Sequence, residues 1–269
     1  MTTIALCQIP VSPDPATNLK RAREALARAE GADLAIFPEA TLTRYGRRVT
    51  ELAEPLDGPF VSGLAEAART HGLAVIAGVF EPGEGPAGAK VHNTAVAIGP
   101  DGGIKAAYRK IHLFDSFGSK ESDLVAPGAE PAVVELAGLR VGLVTCYDIR
   151  FPELTRALVD KGADLFAVIA AWGSGPLKED HWVTLVRARA LENTMWTAAV
   201  GQAPNPEESK DGFGVGRSML VDPLGVVRAD LGTGPGVQLV RLDTEWTATA
   251  RAMLPCLDHR VLKGQPTVK

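Results

Sequence analysis

Apolar residues follow two spacings along this chain, and segments with the two spacings alternate. Short uncharged runs rich in valine, isoleucine and alanine are typical of buried strands, whereas apolar residues that recur every three or four positions are typical of amphipathic helices. The pattern predicts strands at residues 4–9, 34–37, 74–80, 94–98, 104–109, 132–136, 141–145, 165–170, 195–200, 217–221, 226–230 and 237–242. It predicts helices at residues 15–30, 61–70, 152–161, 180–193 and 246–253, and loops at 81–89 and 111–131.

Both kinds of strand connection occur, and together they indicate the fold class. The turns at 100–103, 137–138 and 222–225 contain residues that favour hairpins, and hairpins join antiparallel strands. Other strands are joined by helices, which gives parallel neighbours. We therefore predict an α/β protein with two mixed β-sheets and helices outside them, a four-layer α-β-β-α sandwich. No repeat or linker interrupts the pattern, so we expect a single domain over residues 1–269.

The composition argues against several classes of partner. A net charge of −4 gives no electrostatic basis for binding nucleic acid or an anionic membrane. No apolar stretch approaches the ~20 residues of a membrane span, and we expect no signal peptide. The three cysteines are far apart and lack metal-binding spacing, so we expect no disulfide framework, no metal and a cytoplasmic location.

Three residues that can do chemistry come directly after predicted strands: Glu39, Lys110 and Cys146. Taken singly, they are more often a surface carboxylate, a solvated lysine and a core cysteine. Ligand sites favour the carboxyl ends of strands, however, so we expect the three side chains to converge at one edge of the sheets. Cys146 lies where a strand bends sharply toward a helix at Pro152. Backbone N–H groups at such a bend favour an anion, which suits a thiolate nucleophile.

Four segments of the chain resemble one family. They are Phe37-Pro-Glu39, the run from Tyr108 to Asp115, the run from Cys146 to Leu154, and the run from His181 to Asn193. In their order and in their residues they resemble the nitrilase superfamily of carbon–nitrogen hydrolases. The resemblance covers essentially the whole chain. It implies an α-β-β-α sandwich that pairs with a second subunit, so we expect a homodimer or a higher homo-oligomer and no cofactor.

The resemblance also implies roles for individual residues. Cys146 would be the nucleophile, Glu39 the general base and later the acid, and Lys110 the group that stabilises the oxyanion. Glu121 matches the second glutamate of the family, which orders the site. The backbone N–H of Tyr147, next to the nucleophile, is placed to donate to the oxyanion as well.

Other residues near these segments have open interpretations. Trp172 and Gly173 follow a strand and are candidates for the wall of a substrate pocket, although a core tryptophan is nearly as common. Arg44 lies in a basic loop and is a candidate to bind a substrate carboxylate. We expect His112 to make a structural hydrogen bond rather than to act as a base, and Arg150 to hold the bend at Cys146 rather than to touch substrate.

The sequence around the nucleophile favours one of the family's reactions over another. Nitrile-cleaving members commonly have tryptophan and glutamate after the cysteine, whereas this chain has Tyr147 and Asp148. The runs around Lys110 and Cys146 are most similar to ω-amidases and deaminated-glutathione amidases. We therefore predict an amidase that cleaves the C–N bond of a small carboxamide through a cysteinyl thioester and releases ammonia. A 2-oxo-ω-amide such as 2-oxoglutaramate or deaminated glutathione is the expected substrate.

Alternatives to this reaction stay open. The segment 40–46 departs from the sequence we expect of either amidase, and it borders the expected pocket. N-carbamoyl amidohydrolysis and nitrile hydrolysis are the alternative reactions. A catalytically silent scaffold is the alternative from outside the enzymes.

Overall fold

The structure, a computed structural model, describes residues 1–83, 90–205 and 213–262. Its strands are β1 (Thr2–Gln8), β2 (Leu34–Ile36), β3 (Ala74–Pro82), β4 (Val91–Ile98), β5 (Ile104–Arg109), β6 (Val133–Leu136), β7 (Leu139–Thr145), β8 (Leu165–Ala170), β9 (Trp196–Gly201), β10 (Met219–Val221), β11 (Val227–Asp230) and β12 (Gly236–Leu242). Its helices are α1 (Pro15–Ala27), α2 (Val49–Leu52), α3 (Pro59–His71), α4 (Pro152–Asp160), α5 (Lys178–Asn193) and α6 (Thr244–Met253). None of the helices in these ranges is long and apolar enough to span a bilayer.

The strands form two mixed sheets of six strands each, which confirms the predicted fold class. The first sheet has the order β12-β1-β2-β3-β4-β5 and the second the order β11-β10-β9-β8-β7-β6. In the first sheet β1, β2 and β3 are parallel, and in the second β7, β8 and β9 are parallel. The flanking strands pair antiparallel, as the hairpin turns predict.

The alternation of side chains along β1 shows how the layers are built. Ile4 and Leu6 point into the core between the two sheets, whereas Ala5 and Cys7 point into a second core with the residues of α1 and α3. On the far side of the second sheet, α4 and α5 contribute buried apolar side chains of their own. The order of layers is therefore helices, sheet, sheet, helices.

Most predicted elements are found within a few residues of their predicted bounds, and the exceptions have local causes. Helix α5 begins at Lys178, so Asp180 lies inside its first turn instead of capping it. Helix α2 has four residues, too few to show a periodic pattern. The loop predicted at 111–131 contains a 3-10 turn at Glu121–Asp123. Of the loop predicted at 81–89, residues 84–89 lie outside the described residues.

A close approach of two backbones fixes the position of Glu39. After β2 the chain bends over β3, where the N–H of Gly78 donates to the carbonyl of Pro38 at 3.1 Å. Ala40 follows in a left-handed conformation with φ of +57°. A Cβ added at Gly78 would lie 2.5 Å from Glu39 Cα and 2.5 Å from Ala40 N. Only glycine at position 78 therefore leaves room for the bend that carries Glu39.

We expect the substitution Gly78→Ala to destabilise the protein by about 1–3 kcal/mol, because backbone atoms must move to admit the methyl group. The substitution Gly46→Ala is the control, since a Cβ there meets nothing within 4 Å. Denaturant unfolding measures both variants. Equal free energies of unfolding for the Gly78 variant and wild type would contradict the proposed crowding.

Candidate active site

The bend at Cys146 is a strained turn held by one buried carboxylate. Strand β7 ends at Thr145, and Cys146 begins a 3-10 turn with φ of +49°, in the left-handed region. Asp148 in this turn is fully buried and accepts hydrogen bonds from the N–H of Thr145 at 3.1 Å and from Tyr108 Oη at 2.7 Å. The carboxylate thus ties the turn to its own strand and to the facing sheet.

His112 also contacts the Asp148 carboxylate that holds the turn at Cys146. Its backbone N–H donates to Asp148 Oδ1 at 3.0 Å, and its Nδ1 lies 2.8 Å from the same oxygen. The imidazole is stacked on the ring of Phe151 with a centroid distance of 3.7 Å. His112 therefore makes the structural hydrogen bond expected from the sequence.

Glu39, Lys110 and Glu121 form a buried cluster of charges. Lys110 Nζ donates to Glu39 Oε1 at 3.0 Å and to Glu121 Oε2 at 2.8 Å. The second oxygen of Glu39 accepts the N–H of Ala171 at 2.7 Å, and Glu121 Oε2 also accepts the N–H of Phe114 at 2.7 Å. Each of the three charged side chains is at most 6% exposed. The structure thus brings these predicted residues together.

Asn93 joins the two carboxylates and was missed by the sequence analysis. Its Nδ2 donates to Glu39 Oε1 at 2.7 Å and to Glu121 Oε1 at 3.0 Å. Its Oδ1 is buried and has no hydrogen-bond partner among the described residues. An unsatisfied buried acceptor costs about 1–3 kcal/mol, so this position retains an asparagine at a cost to stability. Its sequence signal was weak, because Asn93 lies between His92 and Thr94, just before the strand predicted at 94–98.

The charges in the cluster set one another's protonation. Burial would raise the pKa of Glu39, but the charge of Lys110 and the hydrogen bonds to the carboxylate together hold that pKa below its ordinary value. Hydrogen bonds from Ala171 and Asn93 act in the same direction. Burial would lower the pKa of Lys110, yet the carboxylates of Glu39 and Glu121 hold it well above its ordinary value. These shifts favour Glu39 as a carboxylate and Lys110 as an ammonium.

The Cys146 thiol is protonated in this environment. Burial raises the pKa of Cys146 well above its ordinary value, and the charge of Glu39 and a hydrogen bond to it raise it further, whereas Lys110 opposes them. The sequence suggested that the bend favours a thiolate. Burial and then the charge of Glu39 act in the opposite direction and favour the thiol.

These groups line a cavity of about 270 Å³. Its wall includes Cys146, Glu39, Lys110 and Glu121, and also Tyr147, Trp172 and Gly173, which the sequence analysis had placed in the site. It also includes Asn93, Ala40, Tyr45, Phe80, Phe114, Phe117, Ser119, Arg150, Ala171, Ser174, Lys178 and Phe213.

Two arginines differ from their predicted places. Arg44 is not among the residues that line the cavity in the described part of the chain, and its neighbour Tyr45 lines it instead. Arg150 was expected to hold the bend, but it lines the cavity, with its guanidinium carbon 5.0 Å from the centroid of the Trp172 ring. Within the described ranges, no group of three histidine, cysteine, aspartate or glutamate residues is arranged to hold a metal ion.

Comparisons with known proteins agree with this architecture. A model of the carbon–nitrogen hydrolase family matches residues 3–252. The chain is 45% identical over 270 residues to a hydrolase of Mycobacterium tuberculosis, covering 96% of this chain and 95% of that protein. It is 36% identical over 272 residues to the deaminated glutathione amidase of Rattus norvegicus, covering 96% of this chain and 81% of that protein.

A solved structure extends the comparison. It is a glutamine mutant of the amidase from Nesterenkonia sp. AN1, with the acetamide moiety of fluoroacetamide added covalently at the active site cysteine. It superposes with a TM-score of 0.79 at 29% identity, covering 94% of this chain and 95% of that one. These matches confirm the family predicted from the sequence and place the chain near the ω-amidase branch. The chain belongs to the carbon–nitrogen hydrolase family of the nitrilase superfamily and is a hydrolase that acts on amides.

Proposed function

We propose that the protein hydrolyses the terminal amide of a small 2-oxo-ω-amide through a thioester on Cys146. The observation that carries the proposal is the placement of the Cys146 thiol against Glu39, whose carboxylate is bonded to the Lys110 ammonium. A nucleophile, a base and a cation for the oxyanion then share one small cavity. The covalent cysteine adduct of the Nesterenkonia amidase supports the same chemistry.

The first half of the reaction forms the thioester. Because the thiol is protonated at rest, Glu39 takes the Sγ proton as the sulfur attacks the amide carbon. Negative charge moves to the amide oxygen, where Lys110 Nζ and the N–H of Tyr147 stabilise it. The protonated Glu39 then gives its proton to the amide nitrogen. The C–N bond breaks, ammonia leaves, and the acyl group stays on Cys146.

The second half restores the enzyme. Glu39, again a carboxylate, removes a proton from water as the water oxygen attacks the thioester carbon. The second oxyanion has the same donors, and its collapse breaks the C–S bond. The acid product leaves, and the proton held by Glu39 returns to the sulfur. Glu121 takes no proton in this cycle, because its hydrogen bonds to Lys110 and Phe114 serve to hold the ammonium.

The substrate class rests on the relatives and on the size of the site. The alignment with the deaminated glutathione amidase of Rattus norvegicus covers 96% of this chain. A cavity of about 270 Å³ suits a small acyl chain. The proposal also includes a homodimer and a single domain, which are supported by the family resemblance. It includes a cytoplasmic location, which is supported by the three free cysteines.

We expect the wild-type enzyme to release ammonia from 2-oxoglutaramate, and Cys146→Ala to release none, because the variant lacks the attacking atom. Glu39→Gln should lower kcat by about 10²–10⁴-fold, since it removes the base.

Mass spectrometry of wild-type enzyme quenched during turnover should find the acyl mass on the peptide that contains Cys146. Release of cysteinylglycine from deaminated glutathione, and release of ammonia from an N-carbamoyl amino acid and from a nitrile, rank the alternatives.

The control for this experiment is Cys256→Ala, because Cys256 is a free cysteine that does not line the cavity. It should keep wild-type turnover. Turnover by Cys146→Ala, or an acyl group on another residue, would contradict the mechanism. Carbon dioxide released with ammonia would favour the N-carbamoyl reaction instead.

The pH dependence should identify Asn93 as a group that tunes Glu39. The hydrogen bond from Asn93 lowers the pKa of Glu39, so Asn93→Leu should raise it. Glu39 acts as a base only when ionised, and kcat/KM falls as the pH drops through its pKa. The acid limb of the kcat/KM profile should therefore move to higher pH in the variant.

Asn18→Leu is a matched control, because Asn18 is also fully buried but bonds to the backbone of Ser12 and Leu42, away from the carboxylates. It should lower stability without moving the acid limb. An unmoved limb in a folded Asn93 variant would show that Asn93 has no part in setting the protonation of Glu39.

A further inference from the structure

Two cations line the active-site cavity in addition to Lys110, and neither takes part in the mechanism above. They are Arg150 and Lys178. The other charged side chains of the lining already have partners, because Lys110 donates hydrogen bonds to both Glu39 and Glu121. Among the described residues, Arg150 contacts His181 and the Trp172 ring and Lys178 contacts the rings of Phe114 and Phe117, and neither cation has a carboxylate at salt-bridge distance. A cation on the wall of a cavity without a carboxylate partner is available to an anionic ligand.

Lys178 is held by aromatic rings rather than by oxygen atoms. Its Nζ lies 3.9 Å from the centroid of the Phe117 ring and 5.2 Å from that of the Phe114 ring. Its backbone carbonyl accepts the indole N–H of Trp172 at 2.8 Å, which fixes the start of α5 against the cavity. The rings stabilise the charge by cation–π attraction but accept no conventional hydrogen bond, so the ammonium keeps donors for a ligand.

Arg150 is placed on the neighbouring part of the same wall. Its guanidinium carbon lies over the Trp172 ring at 5.0 Å, and one of its nitrogens is 3.4 Å from His181 Nδ1. The two cations influence each other, because burial and then the charge of Arg150 lower the pKa of Lys178. Two neighbouring positive charges that repel each other are stabilised together when an anion binds to both.

Resting on the proposed function, we propose that Lys178 is a specificity-determining residue that, beside Arg150, binds a carboxylate on the acyl chain of the amide substrate. In 2-oxoglutaramate, the substrate of the proposed function, this group is the carboxylate at the end opposite the amide. The amide end reaches Cys146, and the carboxylate end reaches the cationic wall. An amide with a neutral far end would leave both cations unpaired and would bind less well.

Succinamate and succinamide test this assignment, since they differ only in whether the far end is a carboxylate or a neutral amide. The measured quantity is the ratio of their kcat/KM values. Lys178→Met removes the charge but keeps an unbranched side chain, and should lower the preference for succinamate about tenfold, through KM. Lys178→Arg should restore most of the preference. Lys105→Met is the control, because Lys105 pairs with Asp101 in the β4–β5 turn and does not line the cavity.

A binding measurement separates this inference from the proposed reaction. Succinate carries the carboxylate but has no amide to cleave, so its affinity for wild type and for Lys178→Met, measured by calorimetry, does not depend on turnover. Weaker succinate binding by Lys178→Met supports the carboxylate site even if no amide is hydrolysed, an outcome that would overturn only the proposed function. Two results would overturn the inference and leave the proposed function intact. One is that Lys178→Met hydrolyses amides with the wild-type ratio of kcat/KM for succinamate and succinamide, and the other is that an active wild type and Lys178→Met bind succinate equally.

Discussion

A single ammonium buried between two carboxylates is the constraint on which the rest of the site depends. Lys110 cannot be buried as a cation without a counter-ion, and Glu39 and Glu121 supply two. The cluster then carries a net negative charge inside the protein. Removing any one member would leave an uncompensated buried charge or change which group holds the proton. The three residues therefore act as a unit.

The surroundings of the sulfur determine how the nucleophile works. Burial and then the charge of Glu39 raise the pKa of Cys146 against the opposing charge of Lys110, so the sulfur rests as a thiol. The nucleophile is therefore formed only during attack, when Glu39 takes the proton. Slow alkylation by iodoacetamide is consequently expected of an active enzyme of this design, and it does not distinguish a catalyst from a silent scaffold. Turnover of an amide makes that distinction.

The sequence predicted those parts of the molecule that local pattern controls. Uncharged β-branched runs predicted strands that are found in both sheets, and Glu39, Lys110 and Cys146 were identifiable because each directly follows such a run. Lys178 was not identifiable, because its position depends on where α5 begins, and that helix starts before the expected cap at Asp180. The protonation of Cys146 was not predictable for a related reason, because burial and then the charge of Glu39 raise its pKa, and both depend on residues distant in the sequence.

The cavity lining carries charges of both signs, and in the proposed function this difference gives the site a direction. The cluster around Lys110 contains two carboxylates, whereas Arg150 and Lys178 lie over aromatic rings. We infer that a substrate with a carboxylate at one end is attracted to the two cations, so that its uncharged amide end is turned toward Cys146. Besides burial, which is the larger cause, the charge of Glu39 also raises the pKa of Cys146. The carboxylate of Glu39 therefore helps both to keep the sulfur protonated and to direct the substrate.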